Sequence, residues 1–255
     1  MVFEQNRPTA AAYLSAARTV LDRVAATQQL TVQTAAELIT KSIRAGGVVQ
    51  AFGTGHSEGF AMEIAGRAGG LVPTNKIALR DVVILGDSPR EALFDPFLER
   101  DPAVAHQLYR LAAPRPEDVF VIASNSGVNG CVVEMAQLVT QHGHKLIAVT
   151  SAQHTAHTAS RHPSGLRLHD FADVVLDNGA PHGDALLPLP SGGAVCAISS
   201  ISAALLAQMV VAEVVRRLDE AGEQAPIYLS ANITGGDDHN RILEARYAGR
   251  IRRLI

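Results

Sequence analysis

Three short apolar runs, "VVQAF", "DVFVIA" and "KLIAVT", each lead into a turn of small polar residues, with helical sequence between them. Short runs rich in Val and Ile suit strands buried on both faces, which is the condition of a parallel sheet. Strands alternating with helices predict an α/β fold whose helices cover both faces of that sheet. Ahead of the first run, Leu14, Ala17, Val20, Leu21 and Val24 recur at helix spacing. So do Val32, Ala35, Ala36, Ile39 and Ile43, and Gly46-Gly47 is their stop signal. Glu58 to Arg67 reads as a short helix, "NKIALRDVVILG" as strand-like, "DPAVAHQLYRLA" and "CVVEMAQLVTQHG" as helices, and "ADVVLDNG" as a further strand. Asn178 to Gly193 reads as a Gly- and Pro-rich loop, followed by one long apolar helix, "AVCAISSISAALLAQMVVAEVV", and an Arg-rich tail. No low-complexity linker divides the chain. One domain over residues 1–255 is expected: a helical extension through residue 45, then an α/β core with a C-terminal helical tail.

Charge narrows the partners. A formal charge of -3, with both signs mixed along 255 residues, gives no reason to expect nucleic acid or an anionic membrane. Cys131 and Cys196 are too few for a disulfide scaffold or a thiolate metal site, and a reducing cytoplasm is the expected setting. The start "MVFEQNRPTA" lacks the basic and apolar regions of a signal peptide. The long apolar stretch is about long enough to span a bilayer, but it carries Ser199, Ser200, Ser202 and Gln208, with Glu213 near its end. A helix buried in a soluble protein or at a subunit interface fits it better.

Two turns stand where such a sheet binds ligands, beyond the carboxyl ends of its strands. One is "GTGHSEG", Gly53 to Gly59, and the other "SNSGVNG", Ser124 to Gly130. The first contains a G-x-S-x-G pattern around Ser57, but a nucleophile elbow normally follows several strands and only one precedes it here. A dinucleotide turn needs an acid about 20 residues on, where this chain reads "GGLVPTNKI". One such turn would be an ordinary bend. Two turns rich in Ser and Gly, each joining a strand to a helix, point instead to a phosphate held by backbone N–H groups and hydroxyls.

"AFGTGHSEGFAMEIAGR", "VFVIASNSGVNG" and "LIAVTS" together resemble the sugar isomerase (SIS) superfamily, nearest its phosphoheptose-isomerase-like branch and a bacterial group linked with amino-sugar phosphates. The second turn resembles the family's S-x-S-G-x-T phosphate signature through Ser124, Ser126 and Gly127, with Asn129 in place of Thr. The resemblance implies a three-layer sandwich around a five-stranded parallel sheet of flavodoxin-like order. It also implies a phosphorylated sugar as ligand and a homodimer or homotetramer that completes the sites. The residues expected to bind phosphate or sugar are Gly55, His56 and Ser57, then Ser124, Asn125, Ser126, Gly127 and Asn129, and Ser151 after the third strand.

Isomerisation of such a sugar needs a base at C2 and a group that serves its oxygens. The family's helix glutamate maps to Glu63 within "AMEIAGR", although a pairing with Arg67 four residues on is the plain alternative. The acid expected from the C-terminal half is His239 in "GGDDHNR" or His182 in "NGAPHGDA"; each also reads as a surface histidine. Glu58 reads as a first-turn carboxylate, and Asp184 as a hydroxyl contact or a turn cap. Neither cofactor nor metal is expected. His154 and His157 form an H-x-x-H pair with no acid or further His at a metal spacing.

Loss of the C2 proton has two outcomes. With a free C2 hydroxyl the product is a ketose; with a C2 acetamido group the carbanion expels the C3 substituent. The family's link with amino sugars favours an N-acetylhexosamine 6-phosphate, such as N-acetylglucosamine 6-phosphate, and loss of water. The alternatives are an aldose–ketose isomerase of phosphoheptose-isomerase type and a phosphosugar-binding regulator without turnover.

Overall fold

The computed structural model describes residues 8–253. The reading that the chain's start lacks a leader rests on residues 1–10, of which 1–7 lie outside the described residues, as do the last two residues of the tail. Two helices, α1 (Ala10–Thr27) and α2 (Gln29–Arg44), precede the first strand. Then come β1 (Val49–Gly53), α3 (Glu58–Ile64), β2 (Thr74–Ile77), α4 (Asp81–Ile84) and α5 (Pro102–Ala112). The second half runs β3 (Val119–Ala123), α6 (Gly130–Gln141), β4 (Lys145–Thr150), α7 (Ala152–Ala156) and β5 (Val174–Asp177). A hairpin of β6 (Ala185–Pro188) and β7 (Ala194–Ala197) follows, then α8 (Ser199–Glu220) and α9 (Gly236–Ala245).

β1 to β5 form one parallel sheet in the order β2-β1-β3-β4-β5, the flavodoxin-like order. The two-residue side-chain period of a strand sorts its residues between two cores. Val49, Ala51, Val119, Val121, Ala123, Ile147 and Val149 face one, packed by α1, α2, α3 and α8. Phe52, Phe120, Ile122, Leu146 and Ala148 face the other, packed by α5 and α6. The result is a three-layer sandwich. The helices ahead of β1 belong to its outer layer, since Val32, Ala35, Ala36 and Ile39 are buried in the first core. Fully burying such an Ile or Val side chain is worth roughly 1.5–3 kcal/mol.

Two boundaries differ from the sequence reading. The helix after the first turn ends at Ile64 rather than Arg67, because Ala65 is extended and Gly66 takes φ +75°. The segment 194–197 is β7 rather than the start of the long helix. Gly192 (φ +92°) and Gly193 (φ +77°) reverse the chain, so the apolar run pairs with β6 in the register Leu187–Val195. The α8 stripe of Ser202, Ala203, Leu206, Ala207, Val210, Val211 and Val214 is buried, as expected for a core helix. Among the described residues no helix is long and apolar enough to cross a membrane.

The tail docks on its own chain. At the amino ends of the strands, Asp118 accepts from Val48 N–H (2.9 Å), Gln50 Nε2 (3.0 Å) and the Arg250 guanidinium (2.5 Å). Arg253 donates to the Val72 and Thr74 carbonyls at 2.7 and 2.8 Å.

Candidate functional site

The chain leaves β1 towards β2 on one side and later returns to β3 on the other, so the carboxyl ends of β1 and β3 part at the point where strand order reverses. Both turns lie there. After β1 the chain folds back at once through a 3₁₀ turn, Gly55–Ser57. A Cβ on Gly53 would lie 2.3 Å from the Ser57 carbonyl oxygen, so this reversal requires glycine. After β3, Ser124 Oγ accepts the Gly127 N–H at 3.1 Å, and Gly127 closes the turn with φ +66°.

Between them is a small cleft, partly open to solvent. His56, Ser57, Ser124 and Asn125, all among the expected residues, line it from the two turns. Asn178, at the end of β5, and Ser199 and Ser200, at the start of α8, line it from elsewhere in the chain. Ser57 makes no capping bond with its side chain. Asn178 Nδ2 donates to Asn125 Oδ1 at 3.0 Å, which fixes the orientation of both amides. The first turn of α8 brings the positive end of a 22-residue helix to the cleft. Part of that field is taken up by Asp184: its carboxylate accepts the Ile198 and Ser199 N–H groups (3.1 and 2.8 Å) and the Ser199 hydroxyl (2.6 Å). Asp184 is therefore a cap, fifteen residues ahead of the helix it caps. Glu58 is neutralised by Arg80 and by Lys76 at 3.4 Å, which removes a carboxylate that would otherwise repel an anion.

The other expected residues lie outside the cleft lining. Gly55 (φ +55°) and Gly127 shape the turns. Ser126 is half-buried and its carbonyl accepts the Thr155 hydroxyl at 3.0 Å. Ser151 is fully buried; its hydroxyl donates to the Ala180 carbonyl (2.6 Å) and caps α7 by accepting the His154 N–H (3.0 Å). Asn129 is occupied by Arg161 and Glu99. Glu63 is held by Arg67, the pairing its spacing allows, and by Gln208 at 2.9 Å. His239 Nε2 donates to the Ile227 carbonyl at 3.0 Å. His182 packs at a tilt against His154 and His157, ring centroids 5.1 and 5.4 Å away, a third imidazole that only the fold supplies. Burial first, then His182, lowers the His154 pKa, in keeping with Nδ1 accepting the Gly183 N–H at 3.1 Å. Among the described residues no group of three His, Cys, Asp or Glu is placed to hold a metal.

Sequence reasoning missed Asn178, Ser199 and Ser200. Asn178 ends a parallel strand, the same place as the two turns, so tracing strand ends would have found it. The serines open an apolar helix, where the sequence alone marks them as polar interruptions and not as cleft residues. Glu99, on the crossover between β2 and β3, carries no local signal.

The chain is thus an α/β sandwich with a small cleft at the switch point of its parallel sheet. Residues 12–151 match the family model described as "SIS domain". The UPF0309 protein lmo0025 of Listeria monocytogenes is 38% identical over 94% of this chain and 97% of its own length. The chain thus belongs to the SIS domain family, among relatives that carry the UPF0309 designation. Its fold is also that of the phosphoheptose isomerases from Neisseria gonorrhoeae and Francisella tularensis. The first superposes with TM-score 0.54 at 20% identity, over 80% of this chain and 95% of that one. The second gives TM-score 0.55 at 16% identity, with the same coverage.

Proposed function

We propose that the protein is an enzyme that binds a phosphorylated sugar in this cleft and interconverts its aldose and ketose forms. The observation that carries the reading is the convergence of Ser57, Ser124, Asn125, Asn178 and the α8 start on one small cavity. Hydroxyls, amides and a helix N-terminus suit a phosphate monoester and the neutral hydroxyls of a sugar. SIS domain membership and a fold shared with two phosphoheptose isomerases favour isomerisation over loss of water.

His56 is the titratable side chain among those that line the cleft, so in this reading it carries the proton to and from C2. Glu63, with its carboxylate tied to Arg67 and Gln208, serves instead to anchor α3 against α8. The test is incubation in D₂O with fructose 6-phosphate, glucosamine 6-phosphate and N-acetylglucosamine 6-phosphate. Deuterium at C2 with ketose–aldose interconversion, lost in His56→Gln and kept in Glu63→Gln, supports the reading. An ultraviolet-absorbing unsaturated sugar from the acetamido substrate would replace isomerase by dehydratase. Tight binding with no exchange would make the protein a sensor.

A further inference from the structure

Four side chains from four segments are linked by three hydrogen bonds that run to the Glu99 carboxylate from both sides. Arg161, on the segment after α7, donates to Asn129 Oδ1 at 3.0 Å. Asn129 Nδ2 donates to Glu99 Oε1 at 2.8 Å, and the Thr54 hydroxyl donates to Glu99 Oε2 at 2.8 Å. The polarity is forced. A guanidinium can only donate and a carboxylate can only accept, so the Asn129 amide has one orientation that satisfies both neighbours. Thr54 belongs to the turn after β1 and is buried, while Asn129 ends the turn after β3 and stands at the N-cap of α6. Glu99 comes from neither. It lies in a short 3₁₀ turn, Leu98–Arg100, on the crossover from β2 to β3. That crossover is seated tightly, because the Arg100 carbonyl oxygen is 2.2 Å from where a Cβ on Gly130 would be.

From this geometry we infer that Glu99 is a positioning residue: its carboxylate sets the spacing of the two turns and so presets the cleft for the phosphate of the sugar. The inference rests on the phosphosugar reading. Glu99 is suited to this work because both of its partners are neutral donors. Glu58 faces two cations, and Asp184 is occupied by the start of α8. The relay also accounts for Asn at position 129. A threonine hydroxyl there is too short to receive Arg161 on one side and reach Glu99 on the other, whereas a carboxamide spans both.

The decisive experiment transposes the amide and the carboxylate. Glu99→Gln removes the charge that two donors face. Asn129→Asp sets two carboxylates against each other. The double variant restores every donor–acceptor pair with the same net charge: the guanidinium donates to the new carboxylate, the new amide N–H donates to it as well, and Thr54 donates to the new amide oxygen. Dissociation constants are measured for fructose 6-phosphate, glucosamine 6-phosphate and inorganic phosphate, at a temperature where circular dichroism shows all four proteins folded. Each single variant should bind about 10-fold more weakly, the scale of one charge-assisted hydrogen bond, and the double should return to within about 3-fold of the parent. Parent binding with unaffected single variants, or a double variant no better than the singles, overturns the relay alone. A parent that binds none of the three probes overturns the phosphosugar reading together with the relay.

Discussion

His144 shows how a single buried ring makes stability depend on pH. Its Nε2 accepts from the Tyr109 hydroxyl at 2.9 Å and its Nδ1 faces the Asp118 carbonyl at 3.3 Å. Burial disfavours the charged ring and lowers its pKa below the ordinary 6.5, against the opposing pull of the Asp118 carbonyl and carboxylate. Between the lowered value and 6.5 the unfolded chain binds more protons than the folded one, so stability rises with pH across that window. Urea unfolding should therefore show a loss of stability as pH falls from 6.5, and His144→Phe should shrink that slope. His154, also lowered by burial, adds a slope of the same sign that this substitution leaves in place. The residue scale is also where sequence reading was least complete. Glu63 was legible as a carboxylate four residues before Arg67, but not its contact with Gln208, 145 positions away, which ties it outside the cleft.

Elements were easier to read than their ends. Buried parallel strands are locally apolar runs, so β1, β3, β4 and β5 could be located directly. β6 and β7 could not, because an exposed hairpin strand such as β7 has no buried face to leave a pattern, and its apolar residues merged with α8. What stops α8 from starting at Ala194 is the Gly192-Gly193 reversal on one side and the distant Asp184 cap on the other. Asp184→Ala should lower unfolding stability by about 1–2 kcal/mol in urea titrations, through the lost cap and the left-handed backbone that alanine tolerates poorly. Asp184→Asn keeps one acceptor and a residue at home in that conformation, so its loss should be smaller. Equal losses from the two would argue against the cap.

The whole molecule divides its work between the two ends of the sheet. The carboxyl ends carry the cleft, and the amino ends are closed by the tail through Arg250 and Arg253 on Asp118, Thr74 and Val72. The sequence marks the tail as helical and rich in Arg but not where it docks, since the partners of Arg250 and Arg253 lie more than 130 residues earlier. Arg250→Ala would leave the buried Asp118 carboxylate without its cation, and should destabilise the fold by about 3–5 kcal/mol in urea unfolding. Ligand affinity of the folded fraction should be unchanged, as the cleft is at the far end of the strands. The strands and the two serine-bearing turns were thus legible, being local patterns repeated along the chain, whereas the strand order came only with the family resemblance. The union of those turns with Ser199 and Glu99 was not, because it exists only after the sheet has formed.

At the centre of the account is one anion site built from both turns. Isothermal titration of fructose 6-phosphate and glucosamine 6-phosphate into the parent, Ser57→Ala, Ser124→Ala and the double variant tests it directly. Each single substitution should weaken binding about 5- to 10-fold and the pair together more than either, as expected for two hydroxyls on one phosphate. Parent-like affinity in the double variant would contradict it.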